Sequence, residues 1–309
     1  MAMGIATRWH RSLLGAAVTL TLLGGTSCGP SANMLYDATC AGTLVTGATG
    51  TVSDPILDEV SGVVDSTANA GVLWVHNDSG DSARLFALTA AGTVLGTFTV
   101  TGASAQDWED LAQGPGPVEG QRYLYAGDIG DNALARASIA VYRIPEPVVD
   151  ADAAPVGTVA MSGMNKLTFT YPDGAHNAET LLVDTDGAIY VVTKQSGSAT
   201  IFRAPPGLAG GSSTVLENVG TVAINAGALL TGGDIAPAGD AIALRTYGQA
   251  YIYQRSAGST IAATLAGARC AGAYTVEPQG EAIAFLSDAQ SYITMSEGVG
   301  RPINQYRVP

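Results

Sequence analysis

Gly280-Glu281-Ala282-Ile283-Ala284-Phe285, Tyr292-Ile293-Thr294-Met295-Ser296-Glu297-Gly298 and Gln305-Tyr306-Arg307-Val308-Pro309 are three strand-like runs, and the chain stops with the third. Each is short, rich in β-branched or aromatic residues, and bounded by Gly, Pro or polar turn residues. The same order recurs upstream. Asp58-Glu59-Val60-Ser61-Gly62-Val63, Trp108-Glu109-Asp110-Leu111-Ala112, Ala178-Glu179-Thr180-Leu181-Leu182-Val183 and Gly233-Asp234-Ile235-Ala236 also set an acid before an apolar run. Successive acids lie 50, 70, 55 and 47 residues apart. Second runs follow at Leu73-Trp74-Val75-His76-Asn77-Asp78, Tyr123-Leu124-Tyr125-Ala126-Gly127-Asp128, Ile189-Tyr190-Val191-Val192-Thr193-Lys194 and Ala241-Ile242-Ala243-Leu244-Arg245-Thr246-Tyr247. Third runs repeat an aromatic, as in Val141-Tyr142-Arg143-Ile144-Pro145 and Ile201-Phe202-Arg203-Ala204-Pro205, and fourth strands are expected at 94–100, 166–170, 215–222 and 261–265.

Four strands at a period near fifty residues are the signature of a β-propeller. The fifth repeat lacks a fourth strand at its C-terminal end, and residues 43–46 or 50–52 are candidates to supply it. An N-terminal strand in the last blade would close the ring and remove its open edges. Residues 146–163, rich in Pro, Ala and Asp, absorb the long second spacing as a surface excursion. The expectation is an all-β, single-domain propeller over residues 41–309 with five four-stranded blades, six being the alternative.

Composition agrees. In 309 residues, 47% are hydrophobic and only 13% charged, with 39 Gly and 14 Pro, so a large core with many tight turns is expected. The formal charge is −13, or −15 once the two arginines of a leader are gone. Such a chain repels phosphate backbones and attracts cations, which excludes a nucleic-acid partner. A monomer is expected.

Residues 1–27 have the parts of an export signal. Arg8, His10 and Arg11 form a basic start, residues 13–23 are apolar, and Gly24-Gly25-Thr26-Ser27 precedes Cys28. The apolar run is too short to span a bilayer permanently. Small residues before a Cys resemble a bacterial lipobox, with Gly25 where that motif usually has Leu. Lipidation of Cys28 and ordinary cleavage nearby both stay open, so the expected product is either a membrane-anchored lipoprotein or a secreted protein. Residues 28–40 would form a tether. Export implies an oxidising compartment, in which Cys40 and Cys270 could pair. Cys40 precedes the candidate closing strand and Cys270 the first strand of the last repeat, so a bond would brace the closure; two unrelated buried thiols are the other reading.

In a propeller the first strand of each blade lines the central channel. Glu59, Glu109, Glu179, Asp234 and Glu281 would then converge near one mouth, where repulsion in low dielectric is costly. A calcium-type cation with oxygen ligands would relieve it; carboxylates capping backbone N–H groups or bonding hydroxyls across blades are the alternative. The second-strand ends add a polar set. Within it, His76, Asp78, Asp128, Lys194 and Arg245 could position water and substrate for metal-assisted hydrolysis of a phosphoester or lactone-like small molecule. Turn chemistry alone also accounts for Asn77-Asp78-Ser79-Gly80 and Gly127-Asp128-Ile129-Gly130-Asp131-Asn132, and Asp184-Thr185-Asp186-Gly187 reads as a hairpin turn. No Gly-x-Ser-x-Gly, Cys-x-x-Cys, His-Glu-x-x-His or phosphate loop is present. Trp74 and Trp108 are expected in blade packing. A non-catalytic surface propeller that binds a protein or glycan is the second functional reading.

Glu59-Val60-Ser61-Gly62, His76-Asn77-Asp78-Ser79-Gly80, Asp107-Trp108-Glu109-Asp110, Gly127-Asp128-Ile129-Gly130-Asp131-Asn132 and Val141-Tyr142-Arg143-Ile144-Pro145-Glu146-Pro147 together resemble a set found in exported bacterial β-propeller proteins of uncharacterised activity. Ala178-Glu179-Thr180-Leu181, Gly233-Asp234-Ile235, Ala243-Leu244-Arg245-Thr246-Tyr247 and Gln279-Gly280-Glu281-Ala282-Ile283 fit the same set, which spans nearly all of 56–309. The resemblance implies fold and location, not an activity. A looser likeness runs to calcium-activated nucleotidases and to regucalcin/gluconolactonase and phytase-like propellers, which hold calcium on or near the channel axis. That likeness implies a role only for the axial acids, since no catalytic residue of those families is matched here.

Overall fold

The computed structural model describes Met1 and residues 32–309; the export segment and Cys28 lie outside the described residues. Five sheets, each built on four antiparallel strands, are arranged as the blades of a propeller. Blade 1 comprises Val60–Asp65, Val72–Asn77, Arg84–Thr89 and Val94–Val100. Blade 2 comprises Trp108–Pro115, Arg122–Asp128, Ile139–Pro145 and Asn165–Thr170, and blade 3 Ala178–Val183, Ile189–Thr193, Ser198–Ala204 and Glu217–Ala223. Blade 4 comprises Leu230–Ile235, Ala241–Thr246, Gln249–Gln254 and Cys270–Ala271. Blade 5 takes Gly280–Phe285, Ser291–Ser296 and Arg301–Arg307 from the C-terminal end, and its outermost strand is Val45–Val52, paired antiparallel to Arg301–Arg307. The N-terminal strand thus closes the ring, and the first strands of the blades pack in the cyclic order 1-2-3-4-5-1.

The alternation of strand side chains puts the core between blades, in five apolar wedges. Val63 and Val75 face blade 5, whereas their neighbours Val64 and Trp74 face blade 2. Trp74, Leu124 and Tyr142 fill the wedge between blades 1 and 2; Tyr125, Val191 and Phe202 fill the next. Tyr251 and Tyr253 pack against blade 3, and Ile252, Ile283 and Tyr306 join blades 4 and 5. Both buried tryptophans use their N–H within this packing: Trp74 donates to Glu146 Oε1 at 2.9 Å and Trp108 to the Ser104 carbonyl at 3.0 Å.

Several expectations are corrected. Residues 261–265 are a short helix, because Thr260 caps Ala263 N–H and the segment is rich in helix-forming Ala and Leu. The fourth strand of blade 4 is instead Cys270–Ala271. Cys270 therefore belongs to blade 4, and its disulfide with Cys40 (Cα–Cα 5.1 Å) pins the N-terminal helix Ala32–Ala41 to that blade, just before the closing strand enters blade 5. Two blades carry a fifth strand. Residues 158–161, within the surface excursion, return to pair parallel with Val94–Val100 of blade 1, and Ser213–Val215 pairs parallel with blade 2. Each cross-strand covers an edge that would otherwise expose unpaired backbone.

Candidate metal centre at the channel mouth

The first strand of every blade carries a β-bulge at the same place. Pairing slips by one residue between Val60 and Gly62, Trp108 and Asp110, Ala178 and Thr180, Leu230 and Gly232, and Gly280 and Ala282. A bulge re-aims the extra residue's side chain, and here the five extra residues are Ser61, Glu109, Glu179, Thr231 and Glu281, all buried. Ser61 and Thr231 are small enough to donate to the next blade's backbone, at the Glu109 carbonyl and at the Gly280 carbonyl (3.0 Å). The three glutamates remain as carboxylates at this level.

Of the five acids expected on the axis, Glu109, Glu179 and Glu281 occupy equivalent positions and Glu59 and Asp234 do not. Glu59 lies two residues before its bulge and is exposed on the rim. Asp234 lies three residues after its bulge, toward the opposite mouth, where its carboxylate accepts Ile235 N–H and Phe285 N–H, both at 2.8 Å. At that far end a cavity of about 280 Å³ draws its lining from all five blades, including Asp65, Gln113, Arg122, Asp184 and Asp234.

One step past the bulges come Gly62, Asp110, Thr180, Gly232 and Ala282. Asp110 fills the throat these small residues leave. Its buried carboxylate accepts Leu111 N–H (2.9 Å), Leu181 N–H (2.9 Å) and Gly233 N–H (3.3 Å), tying blades 2, 3 and 4. Burial holds its pKa well above the usual carboxylate range despite those three donors. Gly62 and Gly232 lie opposite His76 and Arg245 in their hairpins. A Cβ on Gly62 would sit 2.4 Å from His76 Nε2, and one on Gly232 would sit 2.5 Å from the Glu281 carbonyl oxygen.

His76 and Arg245 thus wedge between adjacent blades below the mouth. His76 Nδ1 lies 2.8 Å from the Asn77 carbonyl, its ring meets Trp108 edge-on, and burial pushes its pKa down. Arg245 pairs with Glu277 at 2.9 Å and donates to the Ala282 (2.8 Å) and Met295 (3.2 Å) carbonyls of blade 5. Asp128 stands behind the mouth, paired with Arg136 at 2.9 Å and accepting Asp107 N–H at 3.1 Å. Asp184-Thr185-Asp186-Gly187 forms the hairpin turn expected, with Asp184 bonded to Arg255 of blade 4.

The residues just past the second strands are Asp78, Ile129, Lys194, Tyr247 and Glu297; Ile129 turns into the apolar wedge between blades 2 and 3, and the other four are polar. Carboxylate oxygens of Asp78, Asp107 and Glu109 all lie within 4.8 Å of one another, as do those of Asp78, Glu281 and Glu297. Calcium–oxygen distances of about 2.3–2.6 Å put ligand oxygens on one ion within about 5 Å of each other, so each triad has the spacing of a cation site. Asp78 belongs to both. Asp107 and Glu297 were not among the acids expected to hold metal. Glu297 was legible as the fifth member of the second-strand set, and Asp107 only as part of Asp107-Trp108-Glu109-Asp110.

Crowding leaves its mark on proton affinity. Burial, then Glu179, Asp78 and Asp107, push Glu109 up to about 11. Burial, then Glu281, push Glu297 to about 8, and burial with Glu281, Asp107 and Glu59 raises Asp78 to about 6 against the Ser79 N–H bond. Burial takes Glu179 to about 7 although Lys194 pulls it down. Lys194, among the described residues the one basic side chain bonded to a bulge glutamate, pairs with Glu179, which raises its pKa against the effect of burial.

Two further observations fit a cation. Glu281 Oε2 is buried with no hydrogen-bond partner. And Gly130 packs its backbone on the first triad, where a Cβ would lie 2.0 Å from Glu109 Oε1 and 2.4 Å from Asp107 Oδ2. Oxygen donors alone, mostly carboxylates, suit a hard ion such as Ca²⁺.

No protein-family model matches the sequence, and no relative is found among curated proteins. Among solved structures, the chain is similar to one from Bacteroides uniformis described as a candidate 6-phosphogluconolactonase, at 14% identity and a TM-score of 0.41, over 80% of this chain and 67% of that one. On its own geometry the chain is a five-bladed β-propeller with two carboxylate triads that share Asp78.

Proposed function

We propose that the mouth holds a calcium-type cation and that the propeller uses it to bind and hydrolyse a small phosphoester or lactone-like molecule. The observation that carries this is Asp78, shared by two carboxylate triads, one of which includes Glu281, a buried residue whose Oε2 has no hydrogen-bond partner. Asp78, Asp107, Glu109, Glu281 and Glu297 would be the ligands. A bound cation supplies Lewis acidity and lowers the pKa of coordinated water. Around it, Asp128 and Arg136 hold the loop that positions Asp107, and Asp110 seals the throat from the far end. Glu179, held near pKa 7, can take up and release a proton at its carboxylate at neutral pH.

Export through residues 1–27, with or without lipid on Cys28, is part of the same proposal and is supported by the leader's pattern and by a disulfide suited to an oxidising compartment. The second reading, a non-catalytic surface propeller binding a protein or glycan around a structural ion, draws on the cavity of about 280 Å³ at the opposite mouth from the two triads.

Melting of chelator-stripped protein with and without calcium tests the ion. A panel of nucleotides, phosphate esters and lactones tests the activity, with turnover expected in the wild type and lost in Glu109→Gln. Calcium binding without turnover on any of them would favour the second reading.

A further inference from the structure

The mouth is chemically two-sided. Past the second strands, blades 5 and 1 present Glu297 and Asp78, whereas blades 3 and 4 present Lys194 and Tyr247 at the equivalent places. Lys194 Nζ bonds the Glu179 carboxylate and donates to Tyr247 Oη at 3.0 Å. An ammonium has three N–H donors and a phenol one. Two of the lysine's are used, and the Tyr247 hydroxyl donates to no acceptor among the described residues. Two adjacent donors therefore stand unspent beside the mouth, and Lys194 is close enough to Asp107 and Glu109 to affect their titration. Tyr247 is fixed from behind, since Tyr274 donates its hydroxyl to the Tyr247 carbonyl at 2.6 Å.

Resting on the cation reading above, we infer that Lys194 and Tyr247 form the anion-binding arm of the site, so that its ligand carries a phosphate or carboxylate rather than being a neutral lactone. One anionic oxygen faces the cation and another takes the Lys194 ammonium and the Tyr247 hydroxyl. The order of binding follows from charge. Glu179 neutralises Lys194, so the metal-free mouth offers an anion no net positive charge, and the divalent ion must be in place before an anion is attracted. Arg245, buried against Glu277, does not take part.

Calorimetry tests this in two stages on the whole protein. Calcium is titrated first into the chelator-stripped wild type, Tyr247→Phe and Lys194→Met. Inorganic phosphate, below the solubility limit of its calcium salt, and separately D-gluconate are then titrated into the calcium-loaded and calcium-free forms. The expected result is saturable anion binding only with calcium, with the tighter of the two probes identifying phosphate or carboxylate. Tyr247→Phe should weaken that probe about tenfold or more, the loss of a hydrogen bond to a charged group, while calcium affinity stays within about twofold. Lys194→Met should bind calcium at least as tightly, because a competing cation has gone, and lose the anion. Calcium binding with neither anion binding, or with both variants binding it like the wild type, overturns the anion arm alone. Absence of calcium binding by the wild type overturns the cation reading and this inference with it.

Discussion

Gly130→Ala gives a sharp test of the carboxylate geometry, because it changes no charge and removes no ligand. The added Cβ would lie 2.0 Å from Glu109 Oε1 and 2.4 Å from Asp107 Oδ2. Carbon and oxygen in non-bonded contact need about 3.0 Å or more, so the two oxygens must retreat by about 1.0 and 0.6 Å, or the loop must lift. A cation site tolerates about 0.2 Å in its ligand distances, and both affected oxygens belong to one triad. Perturbing the residues that orient ligands typically costs about 10- to 100-fold in metal affinity, which is the loss expected here. The fold should suffer far less, because both carboxylates end flexible side chains facing the mouth; overpacking of this kind costs about 1–3 kcal/mol. Isothermal titration with calcium reads the first effect and urea denaturation of the chelator-stripped protein the second. Calcium affinity within threefold of wild type, in a variant that folds normally, would refute the reasoning that Asp107 and Glu109 act as one site.

Three other outcomes are expected. Replacing Cys40 and Cys270 by Ser removes a link spanning 230 residues, for which loop entropy predicts about 5 kcal/mol; denaturant midpoints should fall accordingly, and a loss below about 1 kcal/mol would show that the closing strand holds the ring without it. Asp110→Ala leaves three buried N–H groups without their acceptor in the throat, at about 1–3 kcal/mol each before relaxation; a melting temperature unchanged from wild type would contradict its role as a plug. Glu297 and Glu109 bind protons more tightly folded (about 8 and 11) than unfolded (4.5), so their contribution to the stability of the calcium-free protein is full below pH 4.5 and is lost as pH rises, through 8 for Glu297 and on toward 11 for Glu109. Thermal scans from pH 5 to 9 should show that decline without calcium and a flatter profile with it, and identical profiles would count against a shared carboxylate site.

The architecture was legible because a propeller repeats its strand order. The missing fourth strand of the last repeat, sought at 43–46 or 50–52, is Val45–Val52. The parallel strands at 158–161 and 213–215 were not legible, since each pairs with a different blade and carries no partner in its own repeat. Residues 261–265 looked strand-like by position in the period, but a Thr cap and an Ala-rich run decide locally for helix. The site was half-legible for a related reason. Acids recur in the sequence, so Glu59 and Asp234 were matched to Glu109; the equivalence that counts is the bulge, a property of pairing register that no single strand displays. Ser61 and Thr231 hold those places and spend their hydroxyls on neighbouring blades. Gly opposite His76 and Arg245 was likewise a packing relation, and it explains why two side chains that looked available at strand ends are buried between blades.

The most direct measurement is a calcium titration of chelator-stripped wild type beside Asp78→Asn at neutral pH. A cation shared by the carboxylates around Asp78 predicts saturable binding in the wild type, accompanied by proton release, and at least tenfold weaker binding in the variant. No saturable binding by the wild type, or equal binding by the two proteins, would contradict it.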